Sequence, residues 1–139
     1  MNPTVKAFLE KERVCGLTIL QQDGSLHSAA MHFSLVEEPF QLYFSTDITT
    51  RKGSKVANEP TKAAFTIGFS EEEWKTLQIE GDIRVATDEE VPAIKEVHYS
   101  KNPGSKKFEG DPNTRFLILT PTWWRYTDFM KDPLEIIAA

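Results

Sequence analysis

Short apolar runs of period two, each cut off by a turn signal, constrain this chain more than any other feature. The clearest is 40–46, where Phe40, Leu42 and Phe44 alternate with Gln41, Tyr43 and Ser45. That spacing sends one set to each face of an extended strand. Residues 14–36 hold two further β-like runs around Asp23-Gly24, a dipeptide suited to a type I′ hairpin turn, and Glu37, Glu38 and Pro39 end the second. Residues 62–69 make another apolar strand. A long one follows over 71–87, with Gly81 as a candidate bulge, and Pro121 marks an edge or a bulge in the last, 114–129.

Helix signals are fewer. Asn2 can cap a helix with Pro3 in its first turn, and Val5, Phe8 and Leu9 then form an apolar stripe. Thr87-Asp88-Glu89-Glu90 reads as a second start, ahead of Val91, Ile94 and Val97. From Tyr99 to Asn113 the chain is polar and carries Gly and Pro, which predicts a mobile loop. Five or six strands joined by short turns, with helices outside, predict an antiparallel barrel. The 139 residues suffice for one core, so a single domain over 1–139 is expected.

Charge and cysteine content narrow the function. Sixteen basic residues against 21 acidic ones give a net charge of −5, which excludes a broad nucleic-acid surface but leaves room for a small anion site. Cys15 is the one cysteine, so neither an intrachain disulfide nor a cysteine metal cluster can form. No apolar run reaches the length of a membrane span, and the first residues lack a signal-peptide apolar region. The expectation is a cytoplasmic protein with no membrane partner.

Within this acidic chain, residues 49–60 concentrate cations: Arg51 and Lys52, with Lys55 about one turn later. If Thr49 or Thr50 caps a helix there, these charges face the positive end of its dipole. A phosphate at that corner would satisfy the free N–H groups and relieve the repulsion, with hydroxyls from Ser45, Thr46, Thr49 and Thr50 as further donors. A solvated loop with its long side chains turned away is the other reading, and the residues alone do not choose between them. No glycine-rich phosphate loop is present.

Other chemistry finds little support. His27 and His32 are five apart on a strand and face opposite ways, and no HExxH pair exists, so no metal site is expected. Cys15 beside Gly16 reads as a small buried hydrophobe, and a G-x-S-x-G elbow is missing. The carboxylate runs 71–73 and 88–90 read as solvated faces, so no catalytic residue is assigned. Trp123 and Trp124, being adjacent on a strand, face opposite ways: one can enter the core while the other meets a ligand or a partner chain, with Arg125 beside it.

The order of these features resembles the pyridoxamine 5′-phosphate oxidase-like, FMN-binding split-barrel superfamily, most closely its short general-stress-protein branch. The stretches that carry the resemblance are "DGSLHSAAMHFS", "LYFSTDITTRKGSKVANEPTKAAFTI" and "LQIEGDIRVATD". The resemblance implies a six-stranded antiparallel split barrel with short outer helices. It also implies a homodimer with FMN at the subunit interface and a small-molecule substrate or electron donor. By position, Arg51 and Lys52 would hold the FMN phosphate, with Ser45, Thr46 and Thr50 beside them. Ala29, Ala30, Met31 and His32 would border the isoalloxazine ring, Thr76 stands where relatives place a glutamine, and Trp123, Trp124 or Arg125 would reach the flavin site of the partner subunit. An arginine common near Ala29 is missing, as is the Arg-Leu-His substrate motif of true pyridoxamine-phosphate oxidases, so vitamin B6 synthesis is not implied. A deazaflavin, haem or no cofactor are the alternatives to FMN.

Overall fold

A computed structural model of the chain describes residues 1–50, 53, 56 and 59–139. Helix α1 (Pro3–Lys11) begins as its sequence requires: Asn2 Oδ1 accepts the N–H groups of Thr4 (2.9 Å) and Val5 (3.3 Å). Val5, Phe8 and Leu9 are buried.

Strands β1 (Val14–Leu20) and β2 (Leu26–His32) then pair as a hairpin. Its turn is not type I′. Gly24 has φ 85° but Asp23 does not share the positive φ, and the loop closes through Gly24 N–H to Gln21 O (3.0 Å) and Gln21 N–H to Ser25 O (2.8 Å). The Asp23 carboxylate accepts Ser25 N–H (2.9 Å) and its hydroxyl (2.6 Å), a local bond that favours this three-residue loop.

The second half of the 14–36 run breaks at Phe33, which is fully buried edge-on against Phe65, centroids 4.9 Å apart. Strand β3 (Ser34–Val36) lies past this break and pairs with β4 (Gln41–Asp47) instead of β1. With β5 (Thr61–Ile67), β6 (Lys75–Val85) and β7 (Thr114–Asp128), the hydrogen-bonded order is β2-β1-β5-β6-β7-β4-β3. The sheet thus begins and ends on the two halves of one bent segment, curled into a split half-barrel. An additional strand, β8 (Glu135–Ala138), pairs with Arg125–Asp128, past the reach of β4. Eight strands stand where six were expected, because one run bends into two and β8 adds an edge.

The apolar alternation fills the barrel from every side. Leu17 and Ile19 of β1, Leu42 and Phe44 of β4, Phe65 and Ile67 of β5, Leu77, Ile79 and Ile83 of β6, and Leu117 and Leu119 of β7 are at most 1% exposed. Each such side chain contributes about 1.5–3 kcal/mol. A second, smaller core lies outside the sheet. Tyr43, Phe116 and Ile118 face outward and are covered by Ile94 of helix α2 (Val91–Lys101).

The candidate bulge is real and sits on β7. The β6–β7 register runs Glu80 to Trp123 and then Gly81 to Pro121, leaving Thr122 as the extra residue. A Cβ at Gly81 would collide with the Thr120 carbonyl, and Pro121 lacks the N–H that a regular ladder would use. The inserted residue flips the face of everything after it, so Trp124 packs toward the core and Trp123 faces out at 38% exposure.

The 99–113 loop is shorter than expected. Helix α2 continues through Tyr99 to Lys101, and a 3₁₀ turn (Pro103–Phe108) follows. The anchors are buried: His98 Nδ1 meets Ser34 Oγ at 2.9 Å, and Asn102 Nδ2 donates to Phe33 O at 3.0 Å. Among the described residues no helix is long and apolar enough to cross a membrane.

Candidate cofactor site

The corner after β4 is built by hydroxyls and one acid. Asp47 Oδ1 accepts Thr49 N–H (2.7 Å) and the Thr49 hydroxyl (2.6 Å), turning the chain out of the strand. Thr50 donates its hydroxyl to Asp47 O (2.7 Å) and accepts Gly53 N–H (3.2 Å), the geometry of a helix N-cap. Gly53 and Val56 are helical, and Val56 is seated in the main core at 2% exposure. Gly53 lies so close to the Asp47–Ile48 backbone that any Cβ there would collide with the Asp47 carbonyl. The helix start is therefore held against the strand end by packing and by a cap.

Two consequences follow for anion binding. The Thr49 and Thr50 hydroxyls are occupied within the turn, so they orient the helix start and do not serve as the free donors expected from sequence. The Thr46 hydroxyl, on a residue 7% exposed and 3.4 Å from Thr50 Oγ1, stands at the same corner. Ser45 is half-buried and pairs across the ladder with Phe116. Arg51 and Lys52, the expected phosphate ligands, lie outside the described residues.

The β2 positions divide by face. Ala29 and Met31 point to the core, while Ala30 and His32 face out. Across the sheet, Ala30, Gly16, Thr66, Gln78 and Arg125 form one outward row. Three of those positions carry small residues, and the exposed Phe69 ring reaches over Gly16, 3.9 Å from where a Cβ would stand. Thr76 is on the outward side of β6 opposite Thr127, and Gln78 is its exposed neighbour on that face. Gln78 was legible in the β6 alternation but was not singled out, and its cross-strand partner Arg125 was named only beside the tryptophans. The Arg125 guanidinium lies 6.0 Å from the Trp123 ring centre. Trp124 is on the inner side, so a direct contact from this pair to an outer-face ligand would come from Trp123.

His32 is oriented by its backbone neighbour: Nδ1 is 3.2 Å from Arg13 O, so it carries the proton and leaves Nε2 free to accept. The described residues offer no group of three side chains able to hold a metal ion. Burial pushes the Cys15 thiol up to about 12, which removes it as a nucleophile. Glu73 is engaged by Lys11, and Glu90 by Arg84, whose Nη1 and Nη2 lie 2.7 and 2.8 Å from the two carboxylate oxygens. Both carboxylates thus serve the scaffold.

The family model for pyridoxamine 5′-phosphate oxidase matches residues 1–128. Similar solved structures include a pyridoxamine 5′-phosphate oxidase-related, FMN-binding protein from Nostoc punctiforme, at 18% identity and TM-score 0.72, covering 100% of this chain and 96% of that one. A protein related to general stress protein 26 from Clostridium acetobutylicum matches at 17% identity and TM-score 0.70, over 98% of this chain and 91% of that one. A heme-binding protein from Mycobacterium smegmatis matches at 12% identity and TM-score 0.76, over 99% of this chain and 59% of that one. At these identities the likeness is one of fold. No curated protein matches the chain in sequence.

Proposed function

The chain belongs to the pyridoxamine 5′-phosphate oxidase family, and from that premise we propose that it binds FMN and works as a flavin-dependent oxidoreductase other than a pyridoxamine-phosphate oxidase. The observation that carries the reading is the Thr50-capped helix start pressed against the end of β4, followed at once in sequence by Arg51 and Lys52. A phosphate at this corner would draw on the Thr46 hydroxyl and on the two cations that follow in sequence, Arg51 and Lys52. The small, outward Ala30 leaves room on β2 for a flat ring. FMN, when bound, supplies the hydride chemistry, which is why the lack of an acid–base pair or triad is no obstacle. The protein's part is to anchor, orient and shield.

A homodimer belongs to this reading, with Trp123 and Arg125 on the outward face that a second copy would cover. So does a cytoplasmic setting, supported by a lone, buried Cys15. The Arg-Leu-His motif of the vitamin B6 enzymes is missing, and the acceptor is a small molecule of another kind.

The absorbance spectrum of freshly purified protein tests the cofactor, and anaerobic addition of NADH or NADPH tests the reaction. A flavin spectrum that bleaches with a nicotinamide donor is expected. A flavin that stays oxidised with both donors would make the protein a flavin store or sensor instead. One observation favours a second cofactor: with Nδ1 engaged by Arg13 O, the Nε2 of His32 on an exposed strand face would be the atom to hold a haem iron. A haem spectrum in place of flavin, lost in His32→Ala, would establish that alternative.

A further inference from the structure

Beside β2, on the side of the 3₁₀ turn, Arg13, His32, Asn102, Ser105, Lys107 and Phe108 line a cleft of about 240 Å³. No carboxylate lines it, and neither Arg13 nor Lys107 forms a salt bridge with a described residue. The cations are placed by the fold. Arg13 Nη1 donates to Lys101 O at 3.1 Å, which fixes the guanidinium and leaves its other donors available. Lys101 is held close by, its ammonium 2.8 Å from Leu9 O and 3.7 Å over the Phe33 ring. Burial, with help from the Arg13 charge, lowers it to about 8. Positive groups are therefore crowded here, and the carboxylates of Glu10 and Glu12 act on Lys101 only as the smaller, opposing influence. Phe108 is 49% exposed at the lip, with Lys107 Nζ 5.0 Å from its ring centre. Asn102 is 2% exposed, and its Oδ1 has no hydrogen donor among the described residues.

We propose that this cleft binds a small planar organic anion, its carboxylate between Arg13 and Lys107 and its ring against Phe108. The Arg13 fork matches a carboxylate in plane, and His32 Nε2 accepts a hydrogen bond from a hydroxyl or amine carried by the same ligand. No carboxylate lines the cleft, so the ligand's charge meets the remaining donors of Arg13 and the Lys107 ammonium without competition from a lining anion. As the docking place of the second reactant, the cleft rests on the flavin reading; as an anion site it does not.

Benzoate, benzamide and inorganic phosphate, titrated into ¹⁵N-labelled protein with and without FMN, test it. Benzoate should shift the backbone resonances of Gly104, Ser105 and Lys107, with benzamide and phosphate at least about tenfold weaker. Arg13→Gln combined with Lys107→Gln should weaken benzoate by about tenfold or more while FMN affinity stays unchanged. Should that variant not fold, Phe108→Ala is expected to reduce benzoate to the level of phosphate. Equal responses to phosphate would show an adventitious ion only and overturn the proposal, as would equal responses to benzamide or no shift at those residues. Benzoate binding in a protein that takes up no FMN would uphold the cleft and sink the flavin reading; FMN uptake with no benzoate response would do the reverse.

Discussion

Thr50 decides the direction in which the chain leaves β4, because its one hydroxyl both donates to Asp47 O and accepts Gly53 N–H. Thr50→Ala should lower stability by about 1 kcal/mol, the usual cost of a lost cap, and Thr50→Ser should recover most of it. Chemical denaturation of the two variants measures the difference, and equal losses in both would contradict the capping role. At the same scale, His98 is the residue through which acid enters. Burial lowers it from 6.5 to about 4. The folded state then binds fewer protons than the unfolded one below pH 6.5, so stability is complete above that pH and declines as pH falls toward 4. The full effect is about 3 kcal/mol. His98→Gln, neutral at every pH, should flatten that limb in denaturation curves between pH 7 and 4. The cap at Thr50 could be read from the sequence, since threonine before a short polar helix start is a standard signal. That His98 is buried on the inner side of α2 could not, because its Ser34 partner is 64 residues away.

Glu90 links the end of β6 to the start of α2. It accepts both Arg84 nitrogens and Thr87 N–H (2.9 Å), and with Arg84 as the first cause its carboxyl falls from 4.5 to about 2. A depressed carboxyl adds stability above its unfolded value, and the loss runs from pH 4.5 down to about 2, a window below that of His98. Since the Arg84 and Glu90 side chains are 40% and 34% exposed, the contribution is about 1 kcal/mol after screening. Glu90→Gln should cost that amount at neutral pH in urea denaturation and leave no difference from wild type at pH 2; a difference that persists at pH 2 would assign the effect to packing. Elements with strong local periods, such as α1, β4 and β6, were legible from sequence. Boundaries set by distant partners were not. Phe33 breaks a uniform run because two different strands claim its halves, α2 runs on to Lys101 because Asn102 reaches the Phe33 carbonyl, and β8 exists because Arg125–Asp128 has a free edge.

For the whole molecule, the outward face of β2, β1, β5 and β6, unlike the part of β4 and β7 that α2 covers, is the part without an internal purpose. Leu26 is 69% exposed and Trp123 38%, across a surface of small residues. If this face joins two copies, sedimentation should find a dimer, and Leu26→Arg with Trp123→Arg should give a folded monomer with weakened flavin binding. A wild-type monomer that holds flavin fully would contradict the shared site. The cofactor corner is the central claim, and its sharpest test is a comparison of FMN with riboflavin, which lacks the phosphate. Fluorescence titration of flavin-free protein should show FMN binding at least about a hundredfold tighter, with Arg51→Ala plus Lys52→Ala erasing the difference, as expected for two charge-assisted hydrogen bonds. Equal affinities for the two flavins in the wild type, or an undiminished preference for FMN in the double variant, would contradict a phosphate held at that corner.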